Sequence, residues 1–189
     1  MEVPRRLGAV CGIAAPVAFV GGWVVGGART PGYDPLEDAI SQLAREGAAT
    51  RVWMTVCFAV FGVLIAVWAG PLARQLGVPA LRPVVTVAGL ATLAVAALPL
   101  TREGGQGQDT AHAAAAFTGY VAMAATPLVA SVGLRAGARA ASLAVAATSA
   151  CALTWSVVAG DGGAQRLGLT VVDAWHVVIA CAVLLGRRP

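Results

Sequence analysis

Six apolar runs, each about as long as a bilayer is thick, follow one another through the chain and leave few folds open to it. They are Leu7 to Gly27, Val52 to Leu72, Leu81 to Leu100, Ala111 to Leu134, Ala140 to Ala159 and Leu167 to Gly186. At 1.5 Å of rise per residue, roughly 20 apolar residues cross ~30 Å of hydrocarbon. Apolar residues make up 58% of the 189 and charged residues 12%, against about 45–50% and about 25% in soluble domains. Lipid is therefore the expected solvent, and the expected fold is a single all-α integral membrane bundle of six transmembrane helices over residues 1–189. Breakers separate the runs at Pro31 and Gly32, Gly77 and Pro79, Gly104 to Gly107, Gly137, and Gly160 to Gly163. The links after the second and fourth runs are short, which predicts tight helical hairpins.

The basic residues are all arginine, scattered singly or in pairs at the ends of apolar runs. That distribution reads as membrane topology and excludes a nucleic-acid footprint, despite a net charge of +4. With the N-terminus inside, Arg5, Arg6, Arg74, Arg82, Arg135, Arg139, Arg187 and Arg188 fall on the cytoplasmic side. Arg29, Arg45, Arg51, Arg102 and Arg166 fall outside, and every acid except Glu2 lies in or near the outer half. Both termini are thus expected in the cytoplasm, and polar chemistry collects at the outer end. The first run is longer than the roughly 7–15 residues of a signal-peptide core and reads as a span. Cys11, Cys57, Cys151 and Cys181 lie within spans without C-x-x-C spacing, as small packing residues.

Span interiors are rich in small residues, including Gly22 and Gly26 at G-x-x-x-G spacing, which let helices approach where lipid supplies no hydrophobic drive. Pro16, Pro99 and Pro127 lie within or at the ends of spans, where neighbouring helices satisfy the groups they free.

The longest connection, Ala28 to Thr50, carries Tyr33-Asp34-Pro35-Leu36-Glu37-Asp38-Ala39-Ile40-Ser41-Gln42-Leu43. Asp34 as N-cap, Pro35 as first helical residue and Glu37 as third resemble a capping box. Leu36, Ile40 and Leu43 follow at helical spacing, predicting a short amphipathic helix across the outer mouth. Capping accounts for Asp34 and Glu37; Asp38 is left as a site candidate or a solvated residue.

Two D-x-x-H pairs open the fourth and sixth runs: Asp109 with His112, and Asp173 with His176. Residues three apart share a helical face, so each pair can interact, or both can converge. A carboxylate at depth costs ~2.5–3.5 kcal/mol on insertion scales and usually marks a cavity. Asp38, Asp109, His112, Asp173 and His176 are accordingly the candidate acid/base residues, weighed against buried polar contacts between helices. Tyr33, Trp53, Tyr120, Trp155 and Trp175 suit either an interfacial belt or an aromatic pocket for an apolar or cationic ligand. D-x-x-H is not a zinc signature, and neither a metal nor a cofactor is expected.

The order Tyr33-Asp34-Pro35, Asp38, Ile40, Ser41 and Leu43, then a polar loop into a helix with His112, then Gly162 through Arg166 before a last helix, resembles the bacterial membrane proteins grouped as domain of unknown function 998. The resemblance covers nearly the whole chain and implies six spans in a bacterial membrane. It implies no activity, and it does not extend to His176.

Three functions fit these residues. The first is an enzyme with an outward-facing acid/base pocket for an isoprenoid or lipid substrate, acid-initiated cyclisation being its most specific form. The second is a proton-coupled transporter using Asp173 and His176 as a relay. The third is a non-catalytic assembly or lipid-binding protein.

Overall fold

A computed structural model describes residues 3–187, so the inner-side expectations for Glu2 and Arg188 fall outside it. The described chain is helical: α1 (Arg5–Ala28), α2 (Arg51–Leu76), α3 (Leu81–Ala97), α4 (Gln106–Ala130), α5 (Ala136–Ala159) and α6 (Gly162–Leu184). Five of these, all but α3, are long and apolar enough to cross a membrane. The 17 residues of α3 extend only about 26 Å at helical rise. Its apolar run continues to Leu100, but Pro99 disfavours helical backbone at the residue before it, and Leu98 leaves the helix at φ −116° and ψ 69°.

The starts of the other five helices lie outward of their apolar runs, because a helix needs hydrogen bonds rather than lipophilicity in its first turn. Gln106 to Thr110 begin α4, and Gly162 and Gly163, read from sequence as breakers, begin α6. Asp161 makes the latter start: its carboxylate accepts from Ala164 N at 2.7 Å as an N-cap. Gly77 and Gly160 end α2 and α5 in the left-handed region, at φ 66° and 71°.

Each helix packs on its neighbour in sequence, and α6 closes the ring against α1. Small residues set the closest crossings. A Cβ on Gly62 would lie 2.8 Å from the Gly89 carbonyl oxygen, and one on Gly89 would lie 2.6 Å from that of Gly62. The α2 and α3 backbones thus touch directly. Gly8 and Gly12 likewise admit Pro71 and Trp68 of α2 against α1, and Gly22 admits Cys57. Large apolar side chains such as Val17, Val52, Val158 and Val178 point outward, as suits a hydrocarbon surround.

The first long connection crosses one end of the bundle as a strap. The expected capping box does not form: Asp34 Oδ1 accepts from Leu36 N at 2.8 Å and its carbonyl from Asp38 N at 2.7 Å, closing a single turn, and the carboxylate that receives Asp34 N is that of Asp38 rather than Glu37. Ala39 is extended, and the helical segment is the 3-10 turn Ile40–Ala44. Ile40, Leu43 and Ala44 bury inward, whereas Leu36 is 69% exposed. The amphipathic helix of the sequence reading is therefore shorter and displaced towards Ile40.

Gly89→Val should force α2 from α3 and lower stability by about 1–3 kcal/mol, read as a reduced unfolding midpoint in detergent. Gly21→Ala, where a Cβ meets nothing within 4 Å, should match or slightly exceed the parent. Equal melting of parent and Gly89→Val would show that the close crossing is not needed.

Candidate functional site

Beneath the strap lies a cavity of about 60 Å³ walled by five of the six helices. Phe19 of α1, Phe58 and Phe61 of α2, Ala91 and Val95 of α3, and Leu169 of α6 form much of its apolar wall. Its polar lining is Ser41 from the strap, Thr92, His112 and Tyr120 from α4, and Gln165 from α6. Since one water needs roughly 10–15 Å³ by this measure, the space takes a handful of heavy atoms.

Gln165 organises the cavity's roof. The backbone N–H of Ile40 can only donate, so the Gln165 Oε1 receiving it at 2.8 Å is fixed as the carbonyl oxygen. Its Nε2 therefore faces Tyr120 and donates to the phenol oxygen. One side chain thus ties the strap, α6 and α4 together.

Arg166 anchors the strap on the adjacent side. Its Nη1 donates to the carbonyls of Asp38 and Gly162, each at 2.8 Å, and its Nη2 to the Tyr33 phenol oxygen. The guanidinium also lies 5.2 Å from the Trp23 ring centroid and 5.4 Å from that of Tyr33, within cation–π range. Gly162 permits this approach, because a Cβ there would run into Asp38 O. Burial pushes the Tyr33 phenol up, with Arg166 opposing and Asp38 reinforcing the rise. Tyr33 hence stays protonated and donates to Ala39 O at 3.3 Å.

His112 is held by a carbonyl. Leu98 O lies 2.6 Å from its Nδ1, and a carbonyl can only accept, so Nδ1 carries the hydrogen. In the neutral ring Nε2 is then an acceptor, and among the described residues nothing bonds to it.

The sequence-derived candidates separate into different surroundings. Asp109 does not pair with His112: its carboxylate accepts from Thr101 N at 2.8 Å and Thr101 Oγ1 at 3.1 Å, pinning the loop between α3 and α4. Asp38 accepts from Asp34 N at 2.9 Å within the strap. Asp173 and His176 are 1% and 0% exposed on α6, and none of their four polar side-chain atoms has a hydrogen-bond partner. Neither residue lines the cavity. His112 is the seventh residue of α4 and His176 the fifteenth of α6, a difference in depth of about 12 Å if both helices start level.

The aromatics divide in the same way. Only Tyr120 of the five lines the cavity. Trp53, 47% exposed, donates to Gly22 O at 3.0 Å, and Trp155, 59% exposed, to Asp161 at 3.3 Å, as interfacial tryptophans do. Trp175 is buried and donates to Ser142 Oγ at 2.7 Å, tying α6 to α5. Sequence reasoning missed Gln165 and Arg166 as strap anchors; their signal was two long polar side chains in the first turn of an apolar helix.

A second concavity of about 650 Å³ runs along the bundle's flank between α4 and α5. Phe117, Val121 and Leu128 of α4 and Leu143, Ala150 and Val157 of α5 line it, and most of them are exposed. Tyr120 lines both this groove and the cavity and forms the partition between them.

Asp173→Leu replaces two unpartnered oxygens with methyls of the same branching. Removing buried polar atoms that lack partners is worth about 1–3 kcal/mol, so this variant should unfold at a higher temperature than the parent in detergent. A lower midpoint would mean that the carboxyl group has a stabilising partner in the membrane.

No curated protein and no solved structure matches the chain. The family described as Protein of unknown function (DUF998) matches residues 13–182. That span takes in all of the cavity's walls and the whole strap. This multi-pass membrane protein belongs to the domain of unknown function 998 family.

Proposed function

We propose that the protein crosses the membrane six times and takes up a lipid-like molecule sideways from the bilayer. Its apolar chain lies in the α4/α5 groove and its polar end reaches the cavity under the strap. The observation that carries this reading is Tyr120, the shared wall of an apolar groove open to lipid and a small polar chamber. The groove's volume of about 650 Å³ is within the ~300–1,000 Å³ of small-molecule sites. The inside/outside bias of the arginines supports a strap at the outer face, and in a bacterial inner membrane the molecule would then come from the outer leaflet.

In this reading His112 is the acid/base residue, with Nε2 positioned to receive a proton from the bound head group while Leu98 O steadies the imidazole. Tyr120, already accepting from Gln165, has its own hydroxyl hydrogen to offer. Asp38, Asp109 and Asp173 do not line this chamber, which disfavours an acid-initiated cyclisation driven by those carboxylates. A relay through Asp173 and His176 is disfavoured likewise, because neither reaches the cavity. Lipid binding therefore precedes any chemistry in this account.

The test uses the full chain in nanodiscs with a diazirine-bearing polyprenyl probe. Crosslinks should concentrate on α4 and α5 and include Tyr120. Ala124→Phe and Ala150→Phe, each filling the groove, should reduce labelling by about tenfold, the effect of ~1.4 kcal/mol. Labelling spread evenly over all the helices, or indifferent to both variants, would reduce the groove to ordinary lipid-facing surface.

A further inference from the structure

The geometry points to a specific ligand class for this site: a neutral, long-chain lipid whose head donates a hydroxyl hydrogen, such as a polyprenol, rather than its phosphorylated counterpart. This rests on the sideways-binding reading above and adds the chemistry of the head.

The cavity's polar lining comprises Ser41, Thr92, His112, Tyr120 and Gln165, with no arginine. The cation next in sequence, Arg166, is 7% exposed and turned to the strap, its Nη atoms bonded to Asp38 O, Gly162 O and Tyr33. It is further covered by the Trp23 and Tyr33 rings. A phosphate brought beneath the strap would find neither arginine nor lysine in the lining, only the single imidazole of His112 to set against its charge, and burying an anion so sparsely paired is unfavourable. Sites that hold phosphate use arginine forks, lysines or helix N-termini.

The lining instead has an acceptor in need of a donor. With Nδ1 committed to Leu98 O, His112 presents Nε2 to the cavity, where the hydrogen of a ligand hydroxyl can satisfy it. Gln165 cannot supply one, since its Oε1 holds Ile40 N and its Nε2 holds Tyr120. Thr92 cannot either while its hydroxyl donates to Ala88 O at 3.0 Å. An alcohol supplies that hydrogen at no charge, and its size suits a cavity of about 60 Å³. A site built around an unpaired acceptor discriminates strongly against ligands lacking the donor.

Competition against the diazirine probe tests this in nanodiscs, with a polyprenol and the polyprenyl phosphate of equal chain length. The polyprenol should displace labelling at about one-tenth the phosphate's concentration or less. His112→Asn keeps an N–H for Leu98 O but deletes the Nε2 acceptor, and should remove most of that advantage while groove labelling persists. Equal or stronger competition by the phosphate overturns the head-group inference and leaves sideways binding standing. The same holds if groove labelling persists but neither competitor displaces it, or if His112→Asn retains the full preference. Absence of any groove-specific labelling instead overturns the binding reading, and this inference with it.

Discussion

The Ile40 amide has no water to turn to once the strap is pressed against the bundle, and Gln165 is its partner. That bond has consequences in several directions. It fixes which end of the Gln165 amide faces Tyr120, and so holds the phenol at the boundary between chamber and groove. It also joins residues 125 positions apart in sequence, so the first connection takes part of its placement from the last helix. Arg166 repeats the arrangement one residue on through Asp38 O and Tyr33. The strap is thus suspended from the first turn of α6, and that turn depends in its own right on the Asp161 cap.

Polar side chains in this bundle differ in how they are satisfied. Asp38, Asp109, Tyr33 and Gln165, near the strap, are bonded largely to backbone, which satisfies groups left open by loops. Asp173 and His176, deeper in α6, have no such partners. Depth makes Asp173 a site candidate on sequence grounds, since a carboxylate in hydrocarbon is unfavourable. The structure separates expense from accessibility: a group can be costly and still sit in packed interior away from any chamber.

Much of the architecture was legible because the apolar runs are long and their punctuation is strong. The six runs correspond to the six helices, and errors cluster at starts such as Gln106 and Gly162, where polar first turns hide a helix behind residues that look like loop. The Tyr33 to Leu43 motif was visible as a unit, but the Asp34 side chain closes a turn rather than starting a helix. Its extent was not readable, since Ala39 turns extended to let Ile40 meet α6. The site was harder to read for the same reason. Spacing within a helix predicted Asp109 with His112, yet Asp109 turned to Thr101 and His112 to Leu98. Local periodicity says which residues share a face and nothing about the loop that competes for them.

One asymmetry of the ring separates two properties that ligand sites usually entangle. Helix α5 walls the flank groove but contributes nothing to the chamber beneath the strap. On the proposed sideways-binding reading, substitutions along its groove face would retune the length and bulk of the tail admitted, while recognition of the polar end would stay with α4, α6 and the strap. Selection, or a protein engineer, can therefore alter one preference without reopening the other.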